Sequence, residues 1–187
     1  MKTIDSFLAN DGTTFSFTKD TTLDGTGVKN LTAGSLVVDV SGNLIIDGVT
    51  ASELSGVSGL VTLKASGDIT AKNNASSSSG AVTFLANNDI NIQVDVTTSG
   101  DFIAKADNDN NGVGKFVIDS GVTVTSTGGD IDITAVEIQE NGTLTASGDV
   151  IQNGVITQLN ESDQADVDSA TNSSFVQDFT SAADSGC

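Results

Sequence analysis

Apolar and polar residues alternate along this chain in short runs, and most runs follow a turn that ends in Gly-Asp or Asn-Asp. The phrase reads SGDITAKN at Ser66–Asn73, NNDINIQV at Asn87–Val94, SGDFIAKA at Ser99–Ala106, GGDIDITA at Gly128–Ala135 and SGDVIQNG at Ser147–Gly154. Between these copies come GLVTLKAS from Gly59, GAVTFLAN from Gly80, GKFVIDSG from Gly114 and GTLTASGD from Gly142. A period of two predicts strands, because successive side chains project to opposite faces of a sheet. Ile69 and Ala71, Ile90 and Ile92, Phe102 and Ala104, and Ile131, Ile133 and Ala135 then point into a core, while Thr70, Asn91, Asp132 and Thr134 face solvent. No segment carries a helical stripe. Units this small cannot bury a face alone and must stack on their neighbours, so the pattern predicts an all-β chain coiled as a β-solenoid, a single elongated domain with atypical terminal segments.

The Asp residues that open the copies, Asp68, Asp89, Asp101, Asp130 and Asp149, are 21, 12, 29 and 19 residues apart. A coil of about 20 residues, with single-strand copies and loop insertions, accounts for such spacings. Each Asp stands where the chain turns a corner, and its carboxylate can accept hydrogen bonds from backbone N–H groups just ahead of it. The calcium-binding nonapeptide GGxGxDxUx does not occur. Pattern strength divides the chain into an N-terminal strand and cap segment (1–32), the solenoid (33–154) and an acidic C-terminal tail (155–187). The tail could serve as a cap, a subunit connector or an export signal.

Composition narrows the function classes. The chain has no His, Trp, Tyr or Pro, and its seven basic residues, all Lys, stand against 25 acidic ones. Without His there is no ordinary Ser-His-Asp or Cys-His arrangement, and the one Cys, Cys187, is the last residue. Paired carboxylates such as Asp130 and Asp132 could in principle serve a glycoside-cleaving site, but the aromatic platforms that hold sugar rings are missing; the expectation is that the protein is not an enzyme. A net charge of −18 disfavours nucleic acid and anionic membranes as partners. No apolar run reaches the roughly 18 residues that a spanning helix needs, so no membrane insertion is expected. Divalent cations are the natural counter-ligands.

One segment gives that expectation residues. Asp107-Asn108-Asp109-Asn110-Asn111-Gly112 matches the opening of the calcium-loop pattern D-x-[DN]-x-[DN]-G, so oxygens of Asp107, Asp109 and Asn111 could converge on calcium. Ile118 stands where a bidentate Glu is required, and Asp119 follows it by one position. The eight Phe are also unevenly placed, with Phe7, Phe15 and Phe17 near one terminus and Phe175 and Phe179 near the other. A stack of strands has an open edge at each end, which must be covered or used for assembly, and these Phe suit a cap or a joint between subunits.

The stretch Gly59–Gly154, with SGDITAKN, NNDINIQV, ADNDNNGVGKFVIDSGVTVTSTGGDIDITA and NGTLTASGD, resembles the repeat regions of filamentous-haemagglutinin-like proteins and other giant bacterial surface adhesins. That resemblance implies a right-handed parallel β-helix at the cell surface, with a role in adhesion or matrix building. The start of the chain lacks the apolar core of a cleavable signal peptide, so export without one is expected. The functional expectation is a non-enzymatic extracellular structural protein that assembles head to tail with copies of itself, its filaments bridged by divalent cations. Two alternatives stand beside it. One is a monomeric adhesin that binds cell-surface glycans. The other is an ice-binding solenoid presenting Thr62, Thr83, Thr123, Thr125, Thr143 and Thr145, against which the uneven Asp spacing argues. Asn30, Asn74, Asn141, Asn160 and Asn172 lie in N-x-[ST] sequons, which a chain rich in Asn, Ser and Thr contains by chance.

Overall fold

Wherever an apolar residue recurs at every second position between two turns, the chain forms a strand. A computed structural model describes residues 13–24, 32–33, 35–50, 56–57 and 59–158. The first coil holds β1 (Thr13–Phe17), β2 (Thr21–Asp24) and β3 (Thr32–Ala33), and the second β4 (Leu36–Val40), β5 (Leu44–Asp47) and β6 (Gly56–Val57). The third comprises β7 (Val61–Ala65), β8 (Ile69–Ala71) and β9 (Ser76–Ser78), and the fourth β10 (Val82–Ala86), β11 (Ile90–Ile92) and β12 (Val96–Thr98). In the fifth come β13 (Phe102–Lys105), β14 (Lys115–Ile118) and β15 (Thr123–Ser126). The sixth has a long β16 (Ile131–Glu140) and β17 (Thr143–Ala146), and β18 (Val150–Gln158) lies over it. All strand pairs are parallel, giving a β-solenoid of about six turns with no helix among the described residues.

Three faces result. β1, β4, β7, β10, β13 and the start of β16 stack as the first, and β2, β5, β8, β11, β14 and the end of β16 as the second. Because β16 runs through both, they join as one 12-stranded sheet that includes β18. β9, β12, β15 and β17 form the third face, and β3 pairs with β6 in a separate two-stranded piece.

Inward positions stack on inward positions. Leu36, Val61, Val82, Phe102 and Ile131 make one column of the first face. Leu44, Ile69, Ile90, Phe116 and Ile138 make one of the second. Val96, Val124 and Leu144 make one of the third. These residues are buried, as are Ala71, Ile92, Ala104, Ile133 and Ala135, so the alternation read from the sequence places its core correctly. Phe84 and Phe102 meet edge to face, with ring centroids 5.3 Å apart at 72°.

The equivalent positions Leu36, Val61, Val82, Phe102, Ile131 and Val150 are 25, 21, 20, 29 and 19 residues apart, yet the register never slips between them on the first face. The corners absorb the difference. Between β13 and β14 the chain bulges outward as residues 106–114, and in the next coil the same corner straightens so that β16 runs ten residues unbroken. The five opening Asp residues belong to two different corners. Asp68 and Asp89 stand between the first and second faces, whereas Asp101, Asp130 and Asp149 stand where the third face leads into the next coil. Their 12-residue gap is therefore part of one coil rather than a single-strand copy.

Phe102, fully buried at the centre of the stack, leaves a cavity that rigid neighbouring coils cannot close. Phe102→Ala should lower stability by about 3–5 kcal/mol, read as a drop in urea midpoint with unchanged slope.

Candidate functional site

Main-chain bonds between coils continue into the corners, as from Gly67 N–H to the Gly42 carbonyl, but one backbone N–H at each turn needs a side-chain acceptor. At the first corner Asp20 Oδ1 accepts the Asn43 N–H (2.8 Å), Asn43 Oδ1 accepts that of Asp68 (2.9 Å), Asp68 Oδ1 that of Asp89 (3.2 Å) and Asp89 Oδ1 that of Lys115 (2.8 Å). At the corner leading into the next coil, Asp101 Oδ1 accepts the Asp130 N–H (3.0 Å) and Asp130 Oδ1 that of Asp149 (2.8 Å). Asp95 does the same for Thr123 at the remaining corner (2.8 Å). The role expected of these carboxylates is structural, and it is, but the donor belongs to the equivalent residue one coil on rather than to the next residues along the chain.

Gly42, Gly67, Gly129 and Gly148, each just before a donor residue of these ladders, have a matching cause. A Cβ on Gly148 would collide with Asp130 Oδ1, and one on Gly129 with Asp101 Oδ1. Glycine leaves room for the carboxylate arriving from the coil beneath. Asp130, weighed with Asp132 as a catalytic pair, is thus engaged in the ladder. Asp132 instead stands in an outward column between Ile103 and Ile151.

The loop Asp107–Gly112 closes on itself. Asp107 Oδ1 accepts the Asn111 N–H (2.7 Å), and both its oxygens accept that of Gly112 (3.2 and 3.1 Å). Asn111 Oδ1 accepts the Val113 N–H (2.8 Å), and Asn111 Nδ2 donates to Asp109 Oδ2 (3.0 Å). Asp107, Asp109 and Asn111 therefore lie in one turn, with both Asp107 oxygens, Asn111 Oδ1 and Asp109 Oδ2 accepting from the loop's own donors. Asp119 lies beyond the far end of β14, about 16 Å along the strand from Gly114 at the usual rise per residue. Among the described residues no group of three or more Asp, Glu, His or Cys is placed to hold a metal.

Beside that loop Lys115 Nζ pairs with Glu137 Oε2 at 2.8 Å, between adjacent coils. The hydrogen bond and the opposite charge hold the Glu137 carboxyl below, and the Lys115 ammonium above, their ordinary ranges. Asp47 is likewise lowered, by the Asn73 and Asn74 carboxamides of the following coil (2.9 and 2.7 Å).

The two ends differ. At one, β1 and β2 pair only with β4 and β5, leaving their outer edges without a partner strand among the described residues. Phe15 and Phe17 lie on β1, half-buried and packed on the core. Phe7, Phe175 and Phe179 fall outside the described residues. At the other end β18 pairs, among the described residues, with β16 alone and carries exposed Ile151 (41 %) and Val155 (63 %). Inward columns turn polar there. The column Phe15, Val38, Leu63, Phe84, Ala104, Ile133 ends at Gln152, and Leu23, Ile46, Ala71, Ile92, Ile118 ends at Glu140, which is 1 % exposed. Gln152 Nε2 donates to Glu140 Oε2, joining the two columns. Strand alternation marks both positions as inward, but a lone Gln and Glu in a polar chain gave no sign of it.

The third face corrects another expectation. Thr123 stacks on Thr143, and Thr97, Thr125 and Thr145 stack in a second column. Uneven Asp spacing does not break this array, because the insertion is confined to another corner. Thr62 and Thr83 are paired as well, but on the first face. β9, β12, β15 and β17 contain no charged residue, in a chain of net charge −18.

No protein-family model, curated protein or solved structure matches this chain.

The ladder makes a graded test. Asp130→Asn keeps an acceptor, as Asn43 does naturally, and should be within about 0.5 kcal/mol of wild type. Asp130→Ala and Gly148→Ala, one removing the acceptor and the other its room, should each cost about 1–2 kcal/mol in urea denaturation.

Proposed function

We propose that this chain is a non-enzymatic extracellular structural protein that stacks head to tail into filaments. The observation that carries the reading is the pair of parallel edges at opposite ends that have no partner strand among the described residues and whose columns coincide. Continuing the coil past β18 would bring β1 of a second copy over it, Thr13 above Val150 and Phe15 above Gln152. The main-chain pairing seen between every pair of coils would run on through the joint. A head-to-tail contact of this kind does not close on itself, so it propagates as a fibre. Phe15, Phe17, Ile151 and Val155 would supply apolar contact, with Phe7, Phe175 and Phe179 as further candidates. The extracellular setting rests on the likeness of the repeat phrases to those of surface adhesins. A net charge of −18 keeps filaments apart at low salt, and divalent cations, calcium among them, would bridge them.

A second reading draws on the third face. Its uncharged Thr columns, spaced by strand separation in one direction and by two residues in the other, form a flat hydroxyl and methyl lattice that suits ice.

Electron microscopy tests the first reading. The wild type should form fibres of uniform width, bundled when calcium is present and separate in chelator. Ile151→Lys/Val155→Lys, placing charge on the β18 edge, should yield dispersed rods with the same strand signal by circular dichroism. Fibres unchanged by the double variant, or wild-type rods that never join, would refute the joint. For the second reading, measurable thermal hysteresis that disappears in Thr125→Lys/Thr145→Lys is expected, and none in the wild type would dismiss it.

A further inference from the structure

The Asn111-Gly112 pair has a setting that neither assembly nor ice binding uses. We propose that Asn111 is a self-modifying residue, converted by its own loop through a cyclic imide with Gly112 into aspartate and isoaspartate. An asparagine followed by glycine is chemically labile because the next backbone nitrogen can attack the side-chain carbonyl carbon and close a five-membered ring, and glycine offers no side chain to hinder it.

Here each reacting atom already has a partner. The nucleophile, Gly112 N, donates its proton to the Asp107 carboxylate and lies 3.1 and 3.2 Å from its two oxygens. The oxygen that gains charge on attack, Asn111 Oδ1, accepts the Val113 N–H at 2.8 Å. The leaving nitrogen, Asn111 Nδ2, is held by Asp109 Oδ2 at 3.0 Å. A base on the attacking group and a donor on the developing oxyanion are the two aids that acyl transfer needs. Asn111 and Gly112 are exposed, and the space where a Gly112 Cβ would stand is open. Gly112 has φ +84°.

The step balances without a cofactor. Asp107 takes the Gly112 proton as the N–Cγ bond forms. The tetrahedral carbon then expels Nδ2, which gains a proton through solvent and leaves as ammonia. Water opens the imide at either carbonyl, giving aspartate or isoaspartate and adding one negative charge to the loop.

The other described Asn-Gly pairs lack this setting. Gly142 is buried, and a Cβ there would strike the Ile118 side chain and the Val122 carbonyl, while Gly154 lies inside β18 against the Ala135 carbonyl.

The test is peptide mapping by mass spectrometry on full-length protein held warm at neutral pH, with isoaspartate scored separately. Conversion at Asn111 should exceed that at Asn141 and Asn153 by at least about tenfold, and Asp107→Asn should slow it by about tenfold or more. In urea the three sites should converge, because the loop geometry is lost. Equal rates at the three sites in the folded protein would overturn the proposal, as would a rate at Asn111 that Asp107→Asn leaves unchanged. Asp109→Ala separates base from scaffold. With Asp107 in place it should retain most of the rate, and a loss as large as that of Asp107→Asn would assign the effect to loop shape and overturn the base role.

Discussion

A backbone N–H at each corner must find an acceptor where the chain changes direction, and that constraint organises the rest of the molecule. Within the strands, pairing to the coils above and below satisfies the main chain. At the corners an Asp or Asn side chain from one coil reaches the N–H of the next, and at Asn43, Asp68, Asp130 and Asp149 the Gly beside that N–H clears its path. The Gly-Asp phrase is thus two halves of one contact seen in successive coils. Gly receives the carboxylate from below, and Asp offers the next one above. Lys115 ends the first-corner ladder, taking the Asp89 bond but offering no short acceptor of its own, and there the corner straightens into β16.

This device explains what the sequence made legible. Period-two alternation located the core residues, since burial of one strand face depends only on neighbours two positions apart. Repetition of Gly-Asp located corners, because the contact is local in type. What it could not reveal was which corner each copy occupied. That depends on pairing between residues 19 to 29 positions apart, as with Asp130–Asp149 and Asp101–Asp130. The single 12-residue gap looked like irregularity and was a change of corner. For the same reason the Thr columns were hidden: Thr97 and Thr125 are 28 residues apart, and only the register through the coil brings them together.

The candidate ends were legible in part. Phe15 and Phe17 were visible as an aromatic cluster, and β1 carries them inward at the edge of the stack. The polar layer at the opposite end was not, because Glu140 and Gln152 belong to different coils and meet only across the core. A buried Glu joined to Gln is costly beside the isoleucines that fill the same columns below it. Its place at the last coils fits an end whose core does not simply continue as hydrocarbon. A joint here would set Phe15 of one copy over Gln152 of another, so specificity at the contact would come from main-chain register and edge residues, with less from a seamless apolar core.

Charge follows from the same ladders. Stacking a carboxylate at nearly every coil places like charges one strand spacing apart, about 4.8 Å. In water such neighbours repel by about 1 kcal/mol at most, and salt reduces this further. Asn43 interrupts the first ladder with a neutral acceptor that makes the same bond. Acceptors are therefore required at these corners while charge is tolerated, which is why the hydrogen-bond geometry can recur even as the residue changes. The corner ladders account for six of the 25 acidic residues, Asp20, Asp68, Asp89, Asp95, Asp101 and Asp130. The third face stays uncharged because its strands present Thr and Ser outward and the carboxylates that flank it, Asp95 on one side and Asp101, Asp130 and Asp149 on the other, stay at its corners. A uniformly acidic sequence thereby yields a surface with one uncharged side, and any lateral contact between copies would meet least electrostatic resistance along that side.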